Sequence, residues 1–210
     1  MTTERALFLN KFFTEPLMIG SITPSSSFLA KKMLESLPWE ELDVIVELGA
    51  GTGVFTDYIA RYKKPACRVL VIEQDAQMRE ALRRRHPTFF YGSRAERTHW
   101  FLEKYSLPKA DCIVSGLPFA NFSDMLRDDI LLSIDQSLQP DGQLVAFQYS
   151  LQMKPLLKKQ FASVSVGFEL FNFPPAFIYR CNKENSDSQK ESTYKLSFQH
   201  NAVGSRFTKH

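Results

Sequence analysis

The sequence predicts an α/β fold built on an open seven-stranded sheet whose last strand is reversed. Five short apolar runs alternate with four amphipathic helical patterns, and two further apolar runs are joined only by Pro174-Pro175. A connection this short joins antiparallel strands, whereas strands separated by a helix can run parallel. The expected strands are 44–48, 68–72, 88–91, 111–115, 143–149, 163–173 and 176–181, and the expected helices are 53–63, 76–86, 94–105 and 123–138.

Residues 1–40 are predicted to form a helical extension before the main domain. The first helical pattern has an aromatic face made of Phe8, Leu9, Phe12, Phe13 and Leu17. Gly20 and Pro24 interrupt it. Ser25, Ser26 or Ser27 is expected to cap a second helix. The apolar side of that helix is formed by Phe28, Leu29, Met33 and Leu37.

The first strand leads directly into a glycine-rich turn. Glu47 ends the apolar run, and Gly49-Ala50-Gly51-Thr52-Gly53 follows before the next helix begins. Glycine allows the backbone to turn sharply and to lie against a ligand, and the helix start adds unpaired N–H groups. No Lys-Ser/Thr pair follows the glycines, which excludes a nucleoside-triphosphate P-loop.

A second carboxylate follows the second strand. Glu73 closes the run Arg68–Ile72, about twenty residues past the glycines, where open parallel sheets place an acid on a pair of ribose hydroxyls. Gln74 is the next residue and is expected beside the base. Dinucleotide-binding domains share this arrangement, so Glu73 alone does not choose the cofactor.

The fourth strand ends in the loop Ser115-Gly116-Leu117-Pro118-Phe119. Ligands of open α/β sheets bind outside the carboxyl ends of the strands, which is where this loop is expected. Ser123 is expected to cap the following helix, and Pro140-Asp141-Gly142 is expected to turn the chain into the fifth strand.

The composition bears on which classes of protein the chain could belong to. The net charge of +3 is too small to attract a polyanion to the whole surface. No apolar run approaches the ~18 residues that cross a bilayer. Three widely spaced cysteines and four scattered histidines form no metal motif, so no metal is expected. The expected location is the cytoplasm, with peripheral contact at the inner face of the membrane. Residues 182–210 are predicted to be a polar, disordered tail.

Several strings together resemble the soluble bacterial phospholipid N-methyltransferases, which act on phosphatidylethanolamine. The resemblance covers about residues 8–181 and rests on four strings, at 20–27, 47–53, 114–118 and 172–180. It implies a Rossmann-like methyltransferase domain over 41–181, with S-adenosyl-L-methionine as cofactor and residues 1–40 as a lid. The residues expected to bind the cofactor are Glu47, Gly49, Ala50, Gly51, Gly53, Glu73, Gln74, Ser93, Ser115, Ser25 and Ser26.

The resemblance also implies an amine site. Tyr149 and Ser115 are the expected catalytic groups, as proton acceptors or orienting groups for the amine. The expected substrate contacts are Leu117, Pro118, Phe119, Tyr179 and Arg180, with Arg180 on the lipid phosphate. The N-terminal helix is the expected membrane contact.

The family is related in sequence to ribosomal-RNA adenine dimethylases, so an RNA adenine N6-methyltransferase is one alternative. A methyltransferase of a soluble small amine is another. One departure from the relatives concerns the adenine edge of the cofactor site. Relatives carry Gly-Asp-Ala there, and this chain has Gly92-Ser93-Arg94 instead.

Overall fold

The computed structural model describes residues 24–170, 172 and 174–183, with side chains from residue 27 onward. Its sheet has seven strands in the order β3-β2-β1-β4-β5-β7-β6. Strand β7 runs antiparallel to β5 and β6, and the remaining pairs are parallel, which confirms the predicted fold class. The strands are β1 Val44–Leu48, β2 Arg68–Ile72, β3 Phe90–Gly92, β4 Ala110–Ser115, β5 Leu138–Gln148, β6 Ser163–Glu169 and β7 Ala176–Asn182.

Six α-helices among the described residues cover the two faces of the sheet. They are α1 Pro24–Leu34, α2 Val54–Tyr62, α3 Ala76–Arg85, α4 Thr98–Lys104, α5 Asp124–Ser137 and α6 Lys154–Gln160. Helices α1 to α3 contribute buried side chains to one core cluster, and α4 to α6 contribute to the other. The sequences of the buried strands are therefore nearly continuous apolar runs, as expected for a sheet that is covered on both faces.

The order of the strands fixes the position of the site. Strand β1 lies between β2 and β4, so β2 and β3 extend the sheet on one side of it and β4 and the later strands extend it on the other. At such a switch point the loops that leave the carboxyl ends of neighbouring strands diverge and open a crevice. The glycine turn follows β1 and the Ser115–Phe119 loop follows β4, so both predicted loops border this crevice.

The predicted elements differ from the structure most clearly at β5, at β6 and at α6, and the bounds of β3 and α4 differ by a few residues. Strand β5 begins at Leu138 rather than at 143, because Leu138 already pairs with Ala110 before the register shifts. Strand β6 ends at Glu169 rather than at 173, so the connection to β7 is longer than the two prolines. Helix α6 was not predicted; its seven residues are too few to show a clear helical period, although a proline lies in its first turn.

Helix α1 belongs to the packed fold. It begins at Pro24, so Ser25 and Ser26 lie in its first turn rather than before it. Leu29 and Met33 are buried in the core, whereas Phe28 is 57% exposed and does not share their face as predicted. The predicted aromatic helix near residues 8–17 and the tail beyond 183 lie outside the described residues.

Candidate active site

The glycine turn between β1 and α2 uses its three glycines for different reasons. All three have positive φ values, of 74° at Gly49, 54° at Gly51 and 93° at Gly53. A Cβ at Gly49 would lie 2.8 Å from Leu117, and one at Gly53 would lie 2.4 Å from Leu82. A Cβ at Gly51 would meet no atom within 4 Å. The backbone at Gly51 therefore borders open space, which is what close approach of a ligand requires.

Glu73 holds this turn in place. Its Oε2 accepts a hydrogen bond from the Gly51 N–H at 2.7 Å, and its Oε1 accepts one from the Asp75 N–H at 2.8 Å. The side chain is buried, and it lies at the end of the strand that pairs with β1. Glu73 thus lies next to Gly51, the glycine that borders open space. This position agrees with the prediction that Glu73 binds the ribose hydroxyls of a cofactor.

The residues expected at the base lie beside Glu73. The Glu73 N–H donates to the Gly92 carbonyl at 3.1 Å, which brings Ser93 next to the second acid. Ser93 is half-buried and Gln74 is exposed. Their contact with a base stays a prediction.

Glu47 is a fully buried carboxyl group at the base of the crevice. Its Oε2 accepts a hydrogen bond from the Thr56 hydroxyl at 2.7 Å, whereas its Oε1 has no partner among the described residues. Burial raises the pKa of Glu47 to about 8, and the charges of Glu73 and Asp57 act in the same direction. A buried oxygen without a partner is costly for an ionised carboxylate, and the raised pKa keeps Glu47 protonated at neutral pH. Its expected contact at the methionine end of the cofactor stays a prediction.

The loop after β4 packs directly against the glycine turn. The Gly116 N–H donates to the Leu48 carbonyl at 2.9 Å, and a Cβ on Gly116 would lie 3.0 Å from the Gly49 carbonyl oxygen. Ser115 is fully buried, and its hydroxyl accepts from the Leu117 N–H at 3.3 Å. Ser115 is therefore placed to hold the loop, and its hydroxyl is not presented at the surface of the crevice.

Gln148 is a buried side chain at the end of β5 that supports the same loop. Its Nε2 donates to the Leu117 carbonyl at 2.8 Å. Leu117 and Pro118 are half-buried, so part of each borders the crevice. Phe119, in contrast, is 2% exposed and packs edge-on against Phe122 in the core, which leaves it no surface for a substrate and corrects its expected role.

Tyr149 follows β5 at the carboxyl edge of the sheet. It is half-buried and meets the Phe147 ring edge-on, with the centroids 5.7 Å apart. Burial raises the pKa of Tyr149, and a side-chain hydrogen bond with Asn172 acts in the opposite direction. Asn172 is itself buried and donates to the Pro174 carbonyl at 2.6 Å. The hydroxyl of Tyr149 is thus oriented by the β6–β7 connection.

The side chains of Tyr179 and Arg180 are engaged within the fold. The two residues pair with Ala146 and Val145 near the carboxyl end of β5, so Tyr179 lies at the same level of the sheet as Ser115. Tyr179 is fully buried, and its hydroxyl donates to the Ser150 carbonyl at 3.0 Å. Arg180 donates to the Lys32 carbonyl at 2.8 Å, at the C-terminal end of α1. This contact caps the end of α1, and no contact in the structure supports the expected role of Arg180 on a lipid phosphate.

The structure brings most of the predicted cofactor residues together at one edge. The exceptions are Ser25 and Ser26, whose side chains are not described. The sequence analysis missed three supporting residues. Thr56 bonds to Glu47, Gln148 bonds to the Leu117 carbonyl, and Asn172 bonds to Tyr149. Gln148 is a polar residue inside an apolar strand pattern, which was a usable signal. Thr56 lies one helical turn past Gly53. Its bond to Glu47 depends on the three-dimensional course of the glycine turn, which the sequence does not show.

Comparison with known proteins identifies the kind of site. A methyltransferase domain family matches residues 45–142. An ornithine lipid N-methyltransferase of Singulisphaera acidiphila is 36% identical over 183 residues, covering 83% of this chain and 94% of that protein. The chain belongs to the class I S-adenosylmethionine-dependent methyltransferases. The methyl donor is therefore S-adenosylmethionine, as predicted.

Further relatives of this methyltransferase are more distant. Ribosomal RNA small subunit methyltransferase A of Thermotoga petrophila is 29% identical over 102 residues, which span 49% of this chain and 37% of that protein. The N-methyltransferase NodS of Bradyrhizobium japonicum, solved with S-adenosyl-L-homocysteine, superposes with a TM-score of 0.63 at 16% identity and covers 78% of this chain and 89% of that one. At this level of identity, the similarity to NodS shows that the two proteins share a fold.

The residues present fit the cofactor of this methyltransferase family. Gly51 leaves backbone space, Glu73 lies beside it, and buried Glu47 has one oxygen without a partner among the described residues. The described residues hold no cluster that could bind a metal, and none of their helices has the length and apolarity needed to cross a bilayer. Burial raises the pKa of the three cysteine thiols, which are free and lie in the core.

Proposed function

We propose that this methyltransferase acts on the amine head group of a membrane lipid. The observation that carries the proposal is the likeness to the ornithine lipid N-methyltransferase, which extends over 94% of that protein. It includes residues outside the cofactor half of the fold, where the substrate side of the crevice is built. The ribosomal RNA methyltransferases, in contrast, match only about half of the chain.

The placement of Arg180 bears on which lipid is the substrate. An ethanolamine head group has a phosphate two carbons from its amine, whereas ornithine is an amino acid with an amine at the end of its side chain. With Arg180 bound to the end of α1, phosphate recognition loses the residue that argued for it. Of the two lipids, an ornithine head group therefore ranks before phosphatidylethanolamine.

The crevice is suited to methylation of nitrogen. S-adenosylmethionine supplies an electrophilic methyl group, and the acceptor must be a neutral amine. A primary alkyl amine has a pKa near ~10.4, as in lysine, and a partly dry, apolar surrounding lowers that value. Leu117, Pro118 and the Phe147–Tyr149 pair provide such a surrounding at the carboxyl edge.

In this proposal, two groups orient the amine by accepting hydrogen bonds from its N–H groups, and the proton of the ammonium form goes to solvent before methyl transfer. Tyr149 has a hydroxyl held by Asn172, and the Leu117 carbonyl is held by Gln148. A carbonyl oxygen has two lone pairs, so Leu117 retains acceptor capacity beside its bond to Gln148. Ser115 supports this pair through the backbone of the loop.

The test is methyl transfer from labelled S-adenosylmethionine to separate acceptors. These are vesicles with ornithine lipid, vesicles with phosphatidylethanolamine, an RNA hairpin with unpaired adenines, and a panel of soluble amines. The expected result is label in lipid, with ornithine lipid preferred. Label in RNA or in the soluble amines without label in lipid would overturn the proposed substrate class, while the fold and the cofactor would stand.

A further inference from the structure

Helix α3 connects the two loops that are expected to bind the cofactor. Its N-terminal cap is Asp75, two residues after Glu73 in the loop that follows β2. Its last residue, Arg85, lies beside the glycine turn that follows β1, because its side chain bonds to the Thr52 carbonyl. The helix therefore contacts one loop at each of its ends.

Arg85 fixes the glycine turn to the helix that follows it. Its Nη2 donates to the Thr52 carbonyl at 2.7 Å, and its Nη1 donates to the Asp57 carboxylate at 3.1 Å. Thr52 lies between Gly51 and Gly53, and Asp57 lies in the first turn of α2. A planar guanidinium has several N–H donors in a fixed arrangement, so it suits two acceptors at once.

The missing side chain of Gly53 makes room for this contact. A Cβ at Gly53 would lie 2.5 Å from Nη2 of Arg85 and 3.4 Å from its Cζ, so the guanidinium would have to move. Gly51 has no such neighbour within 4 Å. Gly51 therefore leaves space for a ligand, whereas Gly53 leaves space for Arg85.

Arg79 makes comparable contacts at the other loop. Its Nη1 donates to the Glu73 carbonyl at 2.6 Å and to the Gln74 carbonyl at 3.1 Å. The Glu73 carboxylate in turn accepts the Gly51 N–H of the glycine turn. The two loops are thus joined directly by Glu73 and a second time through α3, by Arg79 and Arg85.

We propose that Arg85 and Arg79 are positioning residues for S-adenosylmethionine, which hold the glycine turn and the Glu73 loop at the spacing that the cofactor requires. Each arginine fixes a backbone carbonyl next to a group that borders the expected site, namely Gly51 or the Glu73 carboxylate. A site whose loops are already ordered binds more tightly, because binding does not have to order them. The proposal is independent of the methyl acceptor.

The first test is calorimetric titration of Arg85→Met with S-adenosylmethionine and, separately, with S-adenosyl-L-homocysteine. Methionine keeps an unbranched apolar stem and removes the N–H donors. Arg84→Met is the matched control, because Arg84 lies on the same helix, its side chain is 79% exposed and it pairs with Glu80. Arg85→Met is expected to raise both Kd values roughly threefold to tenfold, the scale of a partly exposed, charged hydrogen bond. Equal Kd values for Arg85→Met, Arg84→Met and the wild type would overturn the proposal.

Urea unfolding separates positioning from a purely structural role. The titrations use conditions in which each variant is fully folded. A residue that only stabilised α3 would then lower the urea midpoint and leave both Kd values unchanged, and that result would also reject the proposal. If Arg85→Met does not fold, Arg85→Lys is compared with Arg84→Lys. Lysine keeps the charge but lacks the fixed donor geometry, so Arg85→Lys is expected to bind more weakly than its control. Equal affinity of these two variants would count against the positioning role.

The second test is a double-mutant cycle with Arg79→Met, measured by the same titrations. Arg79→Met alone is expected to raise both Kd values, since it releases the carbonyls of the Glu73 loop. Each arginine still holds the joined loops when the other is absent. The double variant Arg79→Met/Arg85→Met is therefore expected to raise Kd by more than the product of the two single effects. A double effect equal to that product would show that the arginines act independently, contrary to the proposal.

Discussion

Replacing Glu47 with glutamine is expected to remove a pH dependence of folding stability. In the folded protein this carboxyl is fully buried, and burial raises its pKa from the ordinary 4.5 to about 8. Glutamine keeps an acceptor for the Thr56 hydroxyl and cannot ionise. The variant therefore tests the ionisation with little change of shape.

The sign and size of this change in the free energy of unfolding follow from the number of protons that the folded and unfolded chains bind. Below about pH 4.5 both the folded and the unfolded chain hold the Glu47 proton. Between 4.5 and about 8 only the folded chain holds it, so the free energy of unfolding falls as pH rises, by about 1.4 kcal/mol per pH unit. Across the whole window the loss approaches about 5 kcal/mol. The charges that face Glu47, on Glu73 and Asp57, add to the cost of its ionisation.

The assay is urea unfolding at pH 5, 6, 7 and 8 without cofactor. The wild type is expected to lose stability relative to Glu47→Gln with each step, and Glu80→Gln on the exposed side of α3 serves as the charge control. Thr56→Val removes the hydrogen bond that favours the ionised form, so its loss of stability is expected to continue above pH 8. Parallel pH profiles for the wild type and Glu47→Gln would refute the reasoning.

Three further changes test the site. Gly51→Arg is expected to abolish S-adenosylmethionine binding in calorimetry with the protein still folded, because its side chain would extend into the open space beside the turn; the positive φ costs about 1–3 kcal/mol of stability. Undiminished affinity would reject the cofactor position. Tyr149→Phe is expected to lower kcat with little change in cofactor affinity, since the hydroxyl acts on the reacting amine; an unchanged kcat would remove Tyr149 from catalysis. Arg180→Leu is expected to lower the urea midpoint without raising the lipid KM, because Arg180 caps α1; a raised KM at unchanged stability would restore the phosphate contact.

The sheet could be predicted largely from the sequence because its strands are buried on both faces. Apolar runs bounded by Glu47 and Glu73 show where β1 and β2 end, and both strands were predicted with the observed bounds. The glycine turn could also be predicted, since only glycine suits three positive φ values at alternate positions. The prediction missed helix α6, because this helix has only seven residues and its position depends on packing against β6.

The substrate side could be predicted less well, because its residues meet only through the register of β5 and β7. Nothing in the local sequence shows that Arg180 faces the end of α1 or that Phe119 turns into the core. The partner of Tyr149 is likewise a product of the β6–β7 connection, through Asn172. Spacing along the chain identifies such residues as candidates, but the antiparallel strand decides which of them reach the crevice.

The most direct test of lipid N-methylation is to locate the transferred methyl group by tandem mass spectrometry. Wild-type protein and Gly51→Arg are incubated with S-adenosylmethionine and mixed vesicles of ornithine lipid and phosphatidylethanolamine. Methyl groups on the head-group nitrogen, formed by the wild type and absent with Gly51→Arg, are the predicted result. Lipids of unchanged mass, from a wild-type protein that binds the cofactor and methylates RNA adenine, would contradict it.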